Sequence, residues 1–135
     1  MENFERYCME FSNHTHIEDQ PAHKALVRSL ARDPQRFGIR NVRKAYTDVA
    51  IFEEKVEIGS IDAVLFADET YVCEVKVTDK HIRGSSQLEK AYEYVKNNFG
   101  VLVTRLSVRK DSQGRIGAVK IPPATLDVMA QAGIA

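Results

Sequence analysis

The sequence predicts an α/β domain, a mixed central sheet flanked by helices in the order α, β, β, β, α, β, followed by a C-terminal hairpin and a short helix. Three observations carry this reading. Apolar residues recur at helical spacing near the N-terminus, after Pro21 and after Ser86. Between the last two segments, β-rich runs flank a short polar turn at Asp68-Glu69-Thr70. A further run, Val101 to Val103, is apolar without alternation, the pattern of an internal strand.

Taken in order, Phe4, Tyr7, Cys8 and Phe11 give a short amphipathic helix whose aromatics belong to a core or interface, with Glu2, Glu5 and Glu10 on other faces. A second helix has a start signal at Ile17-Glu18-Asp19, Pro21 in its first turn and a stop before Pro34. Ala22, Leu26, Val27 and Leu30 form its buried side. Residues 45–54 make a first strand with imperfect alternation, led by Tyr46, Val49, Ile51 and Phe52. Strands on either side of the Asp68 turn follow. Ser86-x-x-Glu89 resembles a capping box and opens a helix that turns Leu88, Ala91, Tyr92 and Val95 inward. After the strand at Gly100 to Thr104, a hairpin-like segment runs from Ser107 to Ile121 around Ser112-Gln113-Gly114. Pro122-Pro123 then precedes a C-terminal helix with Leu126, Val128 and Met129.

The chemistry concentrates in the two strands around Asp68. Asp62 lies in the first, and Glu74 and Lys76 lie in the second, embedded between Tyr71 and Val77. Alternation puts Glu74 and Lys76 on one face and Cys73, Val75 and Val77 on the other. A two-residue or symmetric four-residue turn would pair Asp62 with Val75, on the wrong face. A three-residue loop, or a bulge beside Asp62, would set it opposite Glu74 or Lys76, and such an irregularity is expected. A second Glu-x-Lys, Glu53-Glu54-Lys55, sits in a charged connection and reads as surface. The copy at Glu74 is different, because charge in so apolar a strand is costly unless it serves a site.

Two carboxylates meeting at one point repel, and a hard divalent cation relieves the repulsion. Mg2+ is the natural candidate, with Mn2+ as a substitute. Asp62, Glu74 and the Val75 backbone carbonyl would hold it with positions left open for water and a phosphate oxygen. Lys76 would orient the water and offset charge on the phosphate.

The order Asp62, eleven residues, Glu74-Val75-Lys76, then a helix opening on Ser86-Gln87-Leu88 and the run Gly100 to Thr104, resembles the PD-(D/E)XK nuclease superfamily. The resemblance covers roughly residues 45–104 and implies a restriction-endonuclease-like core. It also implies a metal-dependent nuclease with Asp62 and Glu74 as ligands, Lys76 as catalytic lysine and Gln87 in support. Ile61 stands where many members have proline. Ala91 stands where some subfamilies have tyrosine, with Tyr92 and Tyr94 nearby. Members of such folds often lend the site a helical glutamate; Glu18 or Glu10 are the choices, though Glu18 also suits the cap of the second helix. The two cysteines, Cys8 and Cys73, fit neither a disulfide framework, a zinc spacing nor a four-cysteine iron–sulfur cluster, and are read as core.

At 135 residues, 44% hydrophobic and 28% charged, the chain reads as one nuclease-like domain spanning residues 1–135. No apolar run is long enough for a bilayer and no basic-then-apolar leader is visible, so the cytoplasm is the expected location. Net charge is zero, yet its distribution is segregated. Lys24, Arg28, Arg32, Arg36, Arg40, Arg43 and Lys44 face the single acid Asp33, then eight acids oppose Lys55 and Lys76 up to residue 76. A second basic stretch runs from Arg105 through Arg109, Lys110 and Arg115 to Lys120. Such arms suit phosphates around an acidic centre, or are simply solvated faces. Lys24, Arg28, Arg32, Arg36 and Arg40, with Lys80 and Arg83, are the expected nucleic-acid contacts. His14, His16 and His23 match no zinc spacing well and are read as surface, and His81 either contacts substrate or begins a loop.

The expected function is Mg2+-dependent hydrolysis of DNA backbone bonds, by an endonuclease of repair, recombination or defence, with RNA not excluded. A homodimer is expected because so small a chain grips little duplex. Archaeal Holliday-junction resolvases are similar in size and plan, though more basic. The alternatives are a nuclease-like module that binds nucleic acid or protein without cutting, and a domain whose acidic hairpin binds a basic partner.

Overall fold

Hydrophobic patterning and one pair of kinked strands decide the architecture. The computed structural model describes residues 3–13, 20–80 and 85–134. Helices α1 (Phe4–Phe11) and α2 (Pro21–Arg32) are followed by a 3-10 turn at Pro34–Phe37 and strands β1 (Lys44–Glu53), β2 (Val56–Phe66) and β3 (Thr70–Val77). Helix α3 (Ser86–Phe99), strands β4 (Thr104–Lys110) and β5 (Ile116–Ile121), and helix α4 (Thr125–Gln131) complete the chain. The strands form one sheet in the order β1-β2-β3-β4-β5, with β3 and β4 parallel and the other neighbours antiparallel. This is the mixed α/β sheet flanked by helices that the sequence predicts.

Two apolar layers cover the two faces. On one, α1 (Phe4, Tyr7, Cys8) and α3 (Leu88, Ala91, Tyr92, Val95, Phe99) pack on Val49, Val64, Phe66 and Val72. On the other, α2 (Leu26, Val27, Leu30) with Phe37 and Ile39 packs on Ala63, Leu65, Cys73, Val75, Leu106 and Val108. The N-terminal aromatics are therefore core. Both cysteines are buried and unbridged, and burial pushes the Cys8 thiol up to about 12 and the Cys73 thiol further still.

Several elements differ from expectation. The internal strand does not lie at Gly100 to Thr104: β4 starts at Thr104, and the same strand is the first arm of the C-terminal hairpin. Arg105 hid this, since a charge interrupts the apolar run, yet its side chain is only 8% exposed. Its guanidinium bonds both Glu89 oxygens, lies 4.2 Å over the Tyr92 ring and donates to the Pro122 carbonyl. The cap of α3 is Ser85, whose Oγ accepts from the Leu88 N–H at 3.2 Å; Glu89 thus belongs to Arg105 and not to a capping box. Ala22 is exposed, so the buried side of α2 starts at Leu26. Helix α4 buries none of its side chains and is held by polar contacts, the Tyr92 hydroxyl and Lys96 both meeting Asp127.

The imperfect alternation of β1 has a physical cause. Asp48 adopts φ +51°, the left-handed region, in mid-strand. Thr47 pairs with Ala63 and Val49 with Ile61, but Asp48 and Asp62 between them do not pair. Both strands reverse their pleat there: Tyr46 and Val49 share one layer, as do Ile61 and Val64, whereas Ala63 joins the other. Asp62 is thereby freed from the alternation that would fix it to one face.

Candidate functional site

The β2–β3 hairpin closes through three residues, 67–69, with Phe66 opposite Thr70 and Ala63 opposite Cys73. This register carries Asp62 to the level of Glu74, as the three-residue-loop alternative required. Pairing between the strands ends there, and from Glu74 onward β3 pairs only with β4. Asp62 fills the fork. Its Oδ2 accepts the Val75 N–H at 2.8 Å, replacing the backbone acceptor that the diverging strand no longer offers.

Glu74 points to the α3 side of the sheet and is 8% exposed. Three cations or dipoles make its burial tolerable. Lys76 Nζ lies 3.2 Å from Oε1, the Ser85 hydroxyl donates to Oε2, and the N-terminus of α3 presents its positive dipole end. The Lys76 side chain remains 42% exposed, so its ammonium can also meet a ligand. On the other side, His23 in the first turn of α2 brings Nε2 to 3.4 Å from Asp62 Oδ2.

These residues surround an open recess of about 500 Å³ lined by Gln20, His23, Ser60, Asp62, Glu74, Val75, Lys76 and Gln87. Asp62, Glu74, Lys76, Val75 and Gln87 are thus gathered in one place. Gln87, second residue of α3, is exposed on its rim. Among the described residues, no three His, Cys, Asp or Glu side chains converge as a ready-made metal cage. Two carboxylates lining a recess open to solvent fit a cation such as Mg2+, which binds through one or two carboxylates and keeps its waters.

Other expected contributors lie elsewhere. Tyr94 bonds Tyr7 and Tyr92 bonds Asp127, so neither tyrosine serves the recess. Arg28, Arg32, Arg36, Arg40 and Lys80 are exposed and Lys24 is half-buried. The second basic arm is largely occupied: Arg105 is buried, Arg109 donates to the Asp79 carbonyl and Arg115 pairs with Asp111. Glu18, His14, His16, His81 and Arg83 lie outside the described residues, as do Ile17 and Asp19 of the expected helix start. The sequence reading put His23 on the surface and did not single out Gln20 or Ser85. His23 carried a signal, one turn into a helix whose buried side packs against the Glu74 strand, but its grouping with His14 and His16 obscured it.

The element order is the one that the resemblance to the PD-(D/E)XK superfamily implies. No family model matches the sequence, and no curated protein matches it. Two solved structures are similar. One is a repair endonuclease from Pyrococcus abyssi, at 18% identity and a TM-score of 0.44, covering 75% of this chain and 42% of its own. The other, a protein designated SSO0001, has 17% identity and a TM-score of 0.42, covering 83% of this chain and 55% of its own. The chain thus spans about half the length of the structures it matches. No described helix is long and apolar enough to cross a membrane.

Proposed function

We propose that the protein is a metal-dependent nuclease that hydrolyses a DNA backbone phosphodiester in the Asp62–Glu74–Lys76 recess. The observation that carries this reading is the fork itself, in which one aspartate caps the strand bearing the glutamate and lysine, with all three lining one solvent-open recess. Asp62 and Glu74, with the Val75 carbonyl, would hold Mg2+, with Mn2+ as a substitute. The cation, when bound, supplies charge to offset that growing on the phosphate and favours the ionised form of water.

The chain's own groups do the rest. Hydrolysis forms one bond from water oxygen to phosphorus, breaks one P–O ester bond and returns a proton to the departing alkoxide. Lys76 donates to the incoming oxygen and to the phosphate, and Glu74 at 3.2 Å sets where its ammonium sits. Gln87 offers an amide to the same space from the rim. Substrate class rests on the flanking cations of α2 and the segment after it.

The test is incubation of branched, duplex and single-stranded DNA, and of RNA, with Mg2+, Mn2+ or EDTA, beside Lys76→Ala. Metal-dependent cleavage reduced about 100-fold or more in the variant is expected, the usual cost of one charge-stabilising donor. Binding without cutting under every metal would assign a non-cutting module instead. Calorimetric titration of the uncut protein with Mg2+ or Mn2+ provides a readout independent of activity, and Asp62→Ala should abolish the heat.

A further inference from the structure

A second recess, of about 620 Å³, lies where the C-terminal end of α2 meets the start of β1. Arg32, Arg40, Arg43 and Lys44 line it, and no carboxylate does. Asp33, between Arg32 and Pro34, is not part of the lining, and two acids close by are taken: Glu5 bonds the two terminal Arg43 nitrogens at 2.8 and 3.0 Å, and Asp68 accepts from Asn41 Nδ2. Among the described residues Arg32, Arg40 and Lys44 have no ion-pair partner. Gathering like charges is unfavourable unless an anion offsets them.

Its position relative to the Asp62 recess can be measured along two elements. From His23 to Arg32, α2 rises about 14 Å at 1.5 Å per residue. From Asp62 to Phe66, the partner of Lys44, β2 advances about 13 Å at 3.3 Å per residue. Lys24, Arg28 and Arg32 bridge the interval as a stripe at four-residue spacing, one cation every ~6 Å. Duplex DNA carries a phosphate every ~3.4 Å of axis on each strand, so about 13 Å is about four nucleotide steps.

We propose that this arginine recess anchors a backbone phosphate of the bound nucleic acid, about four nucleotides from the bond that is cut. The inference rests on the nuclease reading and adds to it a second contact point and a minimum substrate length. Arginine suits the task, because its planar fork meets phosphate oxygens in pairs.

The test is fluorescence anisotropy of a labelled duplex in EDTA, so that binding is read without cutting, over a salt series. Wild type is compared with a protein carrying Arg32→Gln and Arg40→Gln, both exposed positions, after equal thermal midpoints have shown that the fold is kept. Affinity should fall about 10-fold, and the slope of log K against log salt should become shallower by about 1, the one phosphate contact that is lost. An Arg40→Lys variant should keep the slope. Duplexes ending fewer than about four pairs from the cut should bind wild type no better than the variant. Equal slopes in wild type and variant, in a protein that cuts DNA, overturn the anchor and leave the nuclease reading intact. A wild type that neither binds nor cuts overturns both. Polyglutamate displacing the duplex at equal charge assigns the recess to an acidic polypeptide and overturns the proposal.

Discussion

In the proposed function Asp62 has two separable jobs, capping Val75 and holding the cation, and replacing it in two ways tells them apart. Its Oδ2 accepts the N–H of Val75 at 2.8 Å, and Val75 is 2% exposed. Asp62→Ala strands that amide; a buried donor without a partner costs about 1–3 kcal/mol, and the open recess, which admits water, places this one near the lower end. Asp62→Asn keeps an oxygen in the same place and forfeits only the charge-assisted part, about 1 kcal/mol or less. Metal response should not follow that ranking. With Mg2+ at 100 times its dissociation constant, the wild type gains about 2.7 kcal/mol of stability, worth about 10 °C in thermal midpoint for a domain of this size. Both variants should gain none. The assay is denaturant unfolding and thermal melting of the three proteins, each in Mg2+ and in EDTA. If Asp62→Asn keeps the full Mg2+-dependent rise, the carboxylate is not a ligand. If Asp62→Ala is as stable as wild type in EDTA, the cap on Val75 contributes nothing.

Three further outcomes are expected. Asp48→Gly should destabilise less than Asp48→Val, because glycine accepts φ +51° freely, whereas Asp48→Val should lose about 2 kcal/mol in urea unfolding and lower cleavage by disturbing the pleat reversal beside Asp62. Arg105→Ala should destabilise by about 2–3 kcal/mol through lost packing on Tyr92 and an unmet Pro122 carbonyl. Arg105→Lys should not restore it, because an ammonium has no planar fork, and an unchanged urea midpoint in either variant would count against the clamp. Melting followed from pH 7 to 3 should show acid lability. Glu5 is held below the usual carboxylate range by Arg43, Asp79 by the Ser112 N–H, Asp111 by the Arg115 N–H and Asp127 by the Tyr92 hydroxyl. Depressed folded values mean that their stabilisation is complete above the unfolded carboxylate range and is lost as pH falls from there through the lowered folded values, so the thermal midpoint should stay level above about pH 5 and fall progressively below about pH 4.

The sequence by itself determined the helices, the hairpin and the polar trio, since each rests on local chemistry. Apolar periodicity marked the cores of α1, α2 and α3, alternation split Glu74 from Val75, and the rarity of charge in an apolar strand singled out Glu74 and Lys76. Register was legible only as a choice, because a three-residue loop and a four-residue one differ by a single residue that the polar turn does not specify. Tertiary structure made that choice, and with it the left-handed Asp48 that swings Asp62 into the fork. It also placed what no local pattern could. His23 and Ser85 reach the trio from two helices on opposite faces of the sheet, and Arg105, a charge that ends the apolar run before it, is paired inside a strand. Side chains distant along the chain meet only once the layers pack, so the ligand-facing surface was decided by packing while the chemistry offered to it was written in the β3 strand.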